Sequence, residues 1–272
     1  KSVSEQTITQ TINGNQQTTE SKVEYSISLK MLDSTPEFIV AEVRFDTIMN
    51  NTNTMGKVSA VSSAAKGDIK SSVTEEVMSY VMKRLCSNAV FIKIERSGKP
   101  IEVVNAKMLS DMILKDTASI TLEGPVAAAV KEQIASTVGS ENLKTMTGGL
   151  TWFLPAKQVA VGEVWVTNEK VSSGGMQLAV ITTSRLDGIT GNRADITSES
   201  KISAVENAAP IISGGATVTY DNLAGVSKST MVVDISTGLV IENKSKTRMS
   251  GNLGISGPGF SMQMPMDING ET

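Results

Sequence analysis

The sequence has 272 residues and a net charge of −3, with acidic and basic residues interspersed along its length. This length suffices for one large domain or two smaller ones, and the 40% of apolar residues can fill a sizeable core. No basic stripe alternates with aromatic residues, so we expect no nucleic-acid partner, and the longest apolar runs are too short to form a transmembrane helix.

The N-terminal part, residues 1–64, predicts β-strands. Residues 3–12 are rich in β-branched side chains and run into Asn13-Gly14, a two-residue hairpin signal. The return strand over 23–31 alternates apolar and polar residues, as a half-buried strand does. A strand over 38–49 repeats this period with a slip in phase near Ala41, which indicates a bulge or a bend.

Residues 70–143 change to a helical period and predict an insert of two or three helices. Ser72 and Glu75 have the spacing of a capping box at the start of the first helix. Apolar residues then recur at helical spacing over a broad arc, which is typical of a helix buried on more than one flank. A second helix is predicted over 105–115.

A third helix is predicted from Pro125 to Gly139, since proline suits the first turn and glycine the end of a helix. Between the first two helices, residues 90–94 and 101–104 flank a Ser97-Gly98 turn and predict a hairpin.

Residues 150–272 return to the strand period and predict an antiparallel meander of long strands with short turns. Gly174-Gly175 and residues 236–238 are the predicted hairpin turns, and residues 254–259 are interpreted as a loop. Pro265 lies in the last strand, and because proline cannot donate a ladder hydrogen bond, this strand is expected at a sheet edge.

These elements predict the fold class. The helices interrupt the strands once and do not alternate with them, which argues against a doubly wound α/β sheet. We predict an α+β, mostly β fold: a long, curved antiparallel sheet, half-barrel-like, wrapped around a helical insert of two or three helices. We expect a single domain over 1–272, with 1–64, 70–143 and 150–272 as its three parts.

Two residue counts exclude classes of chemistry. The sequence has no histidine, which excludes imidazole acid–base catalysis, Ser-His-Asp and Cys-His arrangements, and imidazole metal sites. The single cysteine, Cys86, excludes an internal disulfide and metal sites built from cysteine clusters. We therefore expect no enzyme, no catalytic residue, no metal and no cofactor, and keep a carboxylate-based hydrolase as the weaker alternative.

Two motifs, Val161-Gly162-Glu163-Val164-Trp165 and the hairpin over 233–240, together with the order of strands and helices, carry a resemblance. The chain resembles a family of uncharacterised secreted lipoproteins from Bacteroidetes-type bacteria, whose architecture is similar to that of the periplasmic Lol lipoprotein carriers. The resemblance implies a curved sheet that leaves an apolar cavity, and a location in the periplasm or at the outer membrane as an anchored lipoprotein. The sequence begins with Lys1, and removal of a signal peptide would fit this location.

The function expected from these observations is non-enzymatic, extracytoplasmic binding of an apolar ligand, such as a lipid or an acylated molecule. Methionine adapts to irregular apolar partners, and the chain has 14 methionines against ten aromatic residues. The candidate cavity residues are Met78, Val81, Met82, Met108, Met112, Met262, Met264 and Met266. The same residues could instead form a filled core, and the alternative function is an envelope scaffold lipoprotein that binds another protein.

Overall fold

The computed structural model describes residues 1–272 except 13, 97, 149–154, 156, 174–175 and 214–215, and except the side chains of 148, 172–173, 213 and 221. The chain forms two compact units. Unit 1 consists of residues 1–3, 22–52 and 58–154, and unit 2 consists of residues 4–21, 53–57 and 155–272.

The elements follow the predicted order, with the helices grouped in one stretch of the chain. The N-terminal strands are β1 Ser2–Ile12, β2 Asn15–Ser34, β3 Phe38–Thr54 and β4 Lys57–Ser62. The helical stretch contains α1 Thr74–Cys86, β5 Val90–Glu95, β6 Pro100–Val103, α2 Ala106–Asp116, a 3-10 turn Thr117–Ser119, α3 Gly124–Thr137 and α4 Ser140–Gly148. The remaining strands are β7 Val164–Ser173, β8 Met176–Thr190, β9 Arg193–Ala204, β10 Ile211–Ser213, β11 Ala216–Asp234, β12 Val240–Gly257 and β13 Phe260–Glu271.

Unit 1 packs helices against a sheet. Its strands are hydrogen-bonded in the order β6-β5-β3-β2, and β4 also pairs with β3. Buried residues of β3 and β5 share one apolar cluster with buried residues of all four helices, among them Phe45, Val81, Leu109, Ile134 and Leu143. Burial of this apolar face, at about 25 cal/mol per Å² removed from water, stabilises the unit.

A bulge or a bend was predicted near Ala41, and the pairing of β3 with β5 has no bulge there. The register of β3 with β5 runs unbroken from Phe38↔Glu95 to Val43↔Val90. The phase changes later, between Phe45 and Ile48, which are both buried. There the backbone N–H of Ile48 donates to the Ser63 hydroxyl at 3.0 Å, so a side chain substitutes for a strand carbonyl.

The predicted capping box at Ser72 and Glu75 is also wrong. Helix α1 begins at Thr74, and its N-cap residue is Val73, which provides no side-chain hydrogen bond. The Glu75 carboxylate accepts a hydrogen bond from the Ser59 hydroxyl at 3.0 Å. Glu75 therefore ties the first turn of the helix to β4.

Helix α4 was not predicted, and the predicted insert ended inside it. Gly139 follows α3, yet its carbonyl accepts a hydrogen bond from the backbone N–H of Leu143 at 3.0 Å and so helps to start the next helix. Leu143 is fully buried in the core of unit 1. Glycine here separates two helices that pack into the same core.

Unit 2 contains a long antiparallel sheet. Its strands are hydrogen-bonded in the order β1-β13-β12-β11-β9-β8-β7, and β10 also pairs with β11. Neighbours in the sheet are mostly neighbours in sequence, as predicted for a meander. Two predicted strands, over 216–223 and 226–235, form the single strand β11, with a register shift between Asp221 and Ala224.

Two further predictions for unit 2 need correction. Residues 254–257, interpreted as part of a loop, belong to β12, and Gly257 pairs with Phe260 across a turn at Pro258-Gly259 in which Gly259 has φ of 85°. The last strand is not at an edge, because β13 pairs with both β1 and β12. Pro265 is tolerated since the register with β1 runs from Glu5↔Glu271 to Gln10↔Met266 and Pro265 is the next residue.

The predicted fold class, α+β and mostly β with antiparallel strands, is confirmed. The hairpin of β5 and β6 and the turn over 236–238 are confirmed as well. The turns predicted at Asn13-Gly14, Ser97-Gly98 and Gly174-Gly175 fall wholly or partly outside the described residues.

Candidate ligand-binding groove

Four of the five predicted cavity residues of the helices lie in the core of unit 1 or pack against it. Met78 and Val81 are 2% and 0% exposed. Met82 and Met112 pack against the same cluster. Met108 is 60% exposed on α2 and does not belong to that cluster. For the buried members, the filled-core alternative describes the packing, since flexible methionines occupy irregular gaps.

The predicted residues of β13 lie in unit 2. Met264 and Met266 are buried, Met262 is half-buried, and Met266 packs with Leu178, Leu223 and Ile268. The common face predicted for the three methionines is therefore present. None of the three cavities described below is lined by any of the eight predicted residues.

A groove of about 930 Å³ crosses the strands of unit 2, and we call it the transverse groove. Its lining residues come from five sheet strands, the first residue of β7 and the residue after β13: Val164, Thr183, Ser184, Arg185, Thr197, Ser198, Glu199, Val226, Lys228, Ser229, Thr230, Lys244, Ser245, Lys246, Arg248, Glu271 and Thr272. This volume lies within the range of about 300–1,000 Å³ that ligand sites occupy.

Strand registers place most of the lining side chains in two parallel rows on one sheet face. The first row follows the pairings Glu271↔Lys246↔Lys228↔Glu199↔Thr183. The second row follows Lys244↔Thr230↔Thr197↔Arg185↔Val164. Because side chains alternate between faces along a strand, residues two apart share a face and the rows flank a common floor.

Ion pairs hold most of the charged side chains of the groove. Lys246 Nζ lies 2.8 Å from Glu271 Oε1, and Lys228 Nζ lies 3.6 Å from Glu199 Oε2. The three lysine side chains of the groove are 73–76% exposed. Exposed ion pairs of this kind contribute little to stability, because water and salt screen the charges.

The second row is tied to carboxylates beside the groove. Lys244 Nζ lies 2.6 Å from Glu242 Oε1. This hydrogen bond raises the pKa of Lys244 and lowers the pKa of Glu242. The pKa of Asp187 is lowered by a hydrogen bond from Thr197 and by Arg185, whose Nε lies 2.6 Å from Asp187 Oδ1.

Cations outnumber acids in the groove. Five lining residues are basic, Arg185, Lys228, Lys244, Lys246 and Arg248, and two are acidic, Glu199 and Glu271, whereas the whole chain carries a net charge of −3. Within the described part of the chain, Arg248 makes no ion pair and no side-chain hydrogen bond. When Glu242 and Asp187, which pair with Lys244 and Arg185 beside the groove, are counted with the lining, five basic residues face four carboxylates and one positive charge is left in excess.

The Val161-Gly162-Glu163-Val164-Trp165 motif positions one end of the groove. Gly162 adopts φ of 88°, which glycine allows, and its backbone N–H donates to the Leu186 carbonyl at 2.7 Å. Glu163 accepts a hydrogen bond from the backbone N–H of Ala160 at 2.9 Å. This turn sets the start of β7, so that Val164 pairs with Arg185 and Trp165 pairs with Ser184.

The opposite sheet face carries a band of hydroxyl side chains. One row follows the pairings Trp165↔Ser184↔Ser198↔Ser229↔Ser245, and the next follows Thr167↔Thr182↔Ser200↔Ser227↔Thr247. Ser184 and Ser198 are buried, and their hydroxyls are 2.8 Å apart. The buried Trp165 Nε1 has no hydrogen-bond partner among the described residues.

Two further depressions lie in unit 2. One of about 570 Å³ is lined by residues of 203–208 and 219–224. The other, of about 300 Å³, contains the carboxylates of Asp187, Asp195 and Glu242. A glycosidase-type pair needs one carboxyl group with a raised pKa, whereas the pKa values of Asp187 and Glu242 are both lowered. These two groups do not supply a proton donor at neutral pH.

Sequence reasoning missed the transverse groove. Its signal is present in Lys244, Lys246 and Arg248, which alternate with hydroxyl residues at the period of a strand. The pairing of these residues with β11 and β13 depends on strand register, which a single sequence does not specify.

The described residues include neither a membrane-spanning helix nor a metal-binding cluster. None of the described helices combines the length and the apolar character that a bilayer crossing requires. No cluster of three or more acidic, cysteine or histidine side chains among these residues has an arrangement suited to a metal ion.

The fold and the groove define a mostly β protein of α+β class with an open groove lined by basic residues. Residues 37–240 match a family of unknown function, DUF6263, and since this match covers three quarters of the chain, the chain belongs to that family. No curated protein matches the sequence.

Proposed function

We propose that the protein is a non-enzymatic, extracytoplasmic binding protein that takes a lipid or an acylated molecule in the transverse groove. The observation that carries the proposal is the groove itself, whose volume of about 930 Å³ suits an elongated small molecule. The proposed site replaces the cavity expected around the methionines.

The residues that line the groove combine apolar groups with long basic side chains that end in a charged group. Val164, Val226 and the methyl groups of Thr197 and Thr230 supply apolar contacts. Lysine side chains present aliphatic stems along a surface while their ammonium groups stay in water. An acyl chain with a polar head group matches both kinds of surface. The extracytoplasmic location rests on the resemblance to secreted lipoproteins.

The test uses two matched variants of β8 on the same sheet face. Thr183→Trp places an indole in the groove, and Ile181→Trp places one two residues away, at an exposed position outside the lining. The protein and each variant are incubated with lysophosphatidylcholine and analysed by native mass spectrometry. We expect a one-to-one adduct for the parent and for Ile181→Trp, and at least about tenfold weaker binding for Thr183→Trp.

Absence of any adduct from the parent protein would overturn the proposal. Equal adducts in all three proteins would show that the lipid binds elsewhere. Circular dichroism of each variant establishes that a lost adduct does not reflect unfolding.

A second candidate function is protein binding at the edge of the sheet. Within the described residues β7 ends the strand order of unit 2, and its Val164 and Val166 are 51% and 55% exposed. An edge with exposed apolar residues can accept a strand from a partner. If a partner strand adds to β7, Val166→Lys should abolish the capture of an envelope protein, whereas Thr183→Trp should still capture it. Equal capture by both variants would argue against partner binding at the β7 edge.

A further inference from the structure

We infer that the transverse groove selects amphiphiles with an anionic head group, a carboxylate, sulfate or phosphate, and that Lys228, Lys246 and Arg248 bind this group. The inference rests on the proposed function and specifies its ligand class. We call these three residues the cationic corner.

The strand register brings the cationic corner together. Lys228 and Lys246 are a direct cross-strand pair of β11 and β12, and Arg248 pairs with the neighbouring Val226. Opposed residues on adjacent strands lie about 5 Å apart, and residues two apart on one strand lie about 7 Å apart. The three cationic side chains therefore project from the sheet close enough together to contact one anionic group.

The two lysines are an unfavourable pair in the absence of an anion. Like charges directly opposite each other on adjacent strands destabilise a sheet. Glu271 and Glu199 compensate from the outer sides of the row, at 2.8 Å from Lys246 and 3.6 Å from Lys228. An anion between the two ammonium groups would relieve the remaining repulsion from the inner side.

Arg248 supplies hydrogen-bonding capacity that the described residues do not use. A guanidinium group has five N–H donors and binds carboxylate or phosphate with two parallel hydrogen bonds. Arg248 lines the groove and has no side-chain hydrogen bond or ion pair among the described residues. Its donors are therefore available to a ligand.

The apolar part of the ligand has a defined path from the cationic corner. Thr230 follows Lys228 by two residues on the same face of β11, and from Thr230 the second row runs through Thr197 and the aliphatic stem of Arg185 to Val164 at the first position of β7. Four strand spacings of about 4.8 Å separate β12 from β7, which is about 19 Å. A fully extended acyl chain of about sixteen carbons has a similar length, so a single chain fits the path.

A matched pair of charge-removing variants tests the inference. Arg248→Gln and Lys201→Gln each remove one positive charge, and both residues pair with Val226, from opposite sides. Arg248 lines the groove, whereas Lys201 is not among its lining residues. A nonspecific effect of net charge would thus change both variants alike.

The probes are dodecyl phosphate and dodecyl maltoside, which have the same alkyl chain and differ in the charge of the head group. Below their critical micelle concentrations, titration calorimetry should give at least about tenfold tighter binding of dodecyl phosphate to the parent protein. Arg248→Gln should weaken the binding of dodecyl phosphate about tenfold and leave the binding of dodecyl maltoside unchanged. Lys201→Gln should leave the binding of both probes unchanged. Added salt should weaken the binding of dodecyl phosphate, since the cationic corner is exposed and its charges are screened.

The outcomes separate this inference from the proposed function. Equal binding of the two probes would overturn the selection of anions and leave the acyl-binding groove standing. Binding of inorganic phosphate as tightly as dodecyl phosphate would overturn an amphiphile as the ligand. Equal losses in Arg248→Gln and Lys201→Gln would overturn the cationic corner, and no binding of either probe would overturn both proposals.

Discussion

Asp234 organises the hairpin turn between β11 and β12 through one carboxylate oxygen. Its Oδ1 accepts hydrogen bonds from the backbone N–H groups of Ser236 at 2.9 Å and Thr237 at 3.1 Å, from the Ser236 hydroxyl at 2.6 Å and from Asn192 Nδ2 at 3.0 Å. The hydrogen bonds from Ser236 and Thr237 lower the pKa of Asp234, with the Ser236 hydroxyl as the largest cause. One side chain thus fixes the turn and joins it to the turn before β9.

The lowered pKa of Asp234 gives a signed prediction for acid. A carboxyl group whose pKa is lower in the folded state stabilises the fold above its unfolded pKa of about 3.9, and this contribution is lost as the pH falls through the folded pKa. We expect Asp234→Asn to have a lower Tm than the parent at pH 7, and the difference to shrink below about pH 4. Thermal melts at several pH values measure it.

Glu206→Gln is the control for this experiment, because Glu206 is exposed and has no ion pair or side-chain hydrogen bond among the described residues. The difference in Tm between Glu206→Gln and the parent protein should be small at every pH. A gap between Asp234→Asn and the parent that stays constant from pH 7 to pH 3 would refute the role assigned to ionised Asp234.

For individual residues, the sequence predicted burial better than it predicted hydrogen-bond partners. Val77, Val81 and Leu85 are fully buried, as their helical spacing indicates. The hydrogen bonds of Glu75 and Ser63 were not predictable, because each partner lies at least 15 positions away in the chain. The same applies to the cationic corner, since its charges are visible in the sequence and their pairing is not.

At the scale of paired strands, the hydroxyl band of unit 2 places polar groups on a partly buried sheet face. Ser184 of β8 and Ser198 of β9 are a direct register pair, 1% and 7% exposed, and their hydroxyls bond to each other at 2.8 Å. A buried hydroxyl without a partner costs about 1–3 kcal/mol. Each of the two hydroxyls therefore supplies the hydrogen-bond partner of the other.

A double-mutant cycle at Ser184 and Ser198 measures this dependence. Each single Val substitution leaves one buried hydroxyl without its partner and should lower the free energy of unfolding by about 1–3 kcal/mol. The double variant removes both hydroxyls and favours strand geometry, so its loss should be smaller than the sum of the single losses by about 1 kcal/mol or more. Urea unfolding of the four proteins gives the values, and additive losses would show that the hydroxyls act independently.

Element types were predictable where a period is sustained, and boundaries were not. The alternation in β3 and the helical spacing in α1 both correspond to observed elements. Prediction failed at residues with two compatible roles. Gly139 ends one helix and helps to begin α4, and Pro265 lies in an interior strand at the point beyond the last register pair with β1.

The two compact units raise the question whether the chain unfolds in one cooperative step. We predict a single domain over 1–272, so loss of unit 1 should unfold unit 2 as well. Val81→Asp tests this prediction, because it places an unpaired charge in the core of unit 1, where Val81 is 0% exposed. Such a change costs several kcal/mol, a large part of the stability of an ordinary domain.

Two local probes report on the units separately. Cys86 lies in unit 1, where burial raises the pKa of its thiol, so rapid labelling shows that this unit has opened. Amide exchange in β11 and β12 reports on unit 2. We expect Val81→Asp to expose both the Cys86 thiol and the amides of β11 and β12. Met108→Asp, at a position 60% exposed on α2, should expose neither the thiol nor these amides. Protected amides in β11 and β12 of Val81→Asp would instead mean two independent domains.

The pairing of β1 with β13 has a consequence for the newly made chain. Glu5 pairs with Glu271, so the partners are 266 positions apart. At about 5–20 residues per second, synthesis of a chain this long takes roughly 15–50 s. Throughout that interval the edge of β1 that β13 later covers is open to other strands, as any unpaired edge is. A chaperone that shields nascent strands should therefore increase the yield of this protein more than that of a helical protein of equal length.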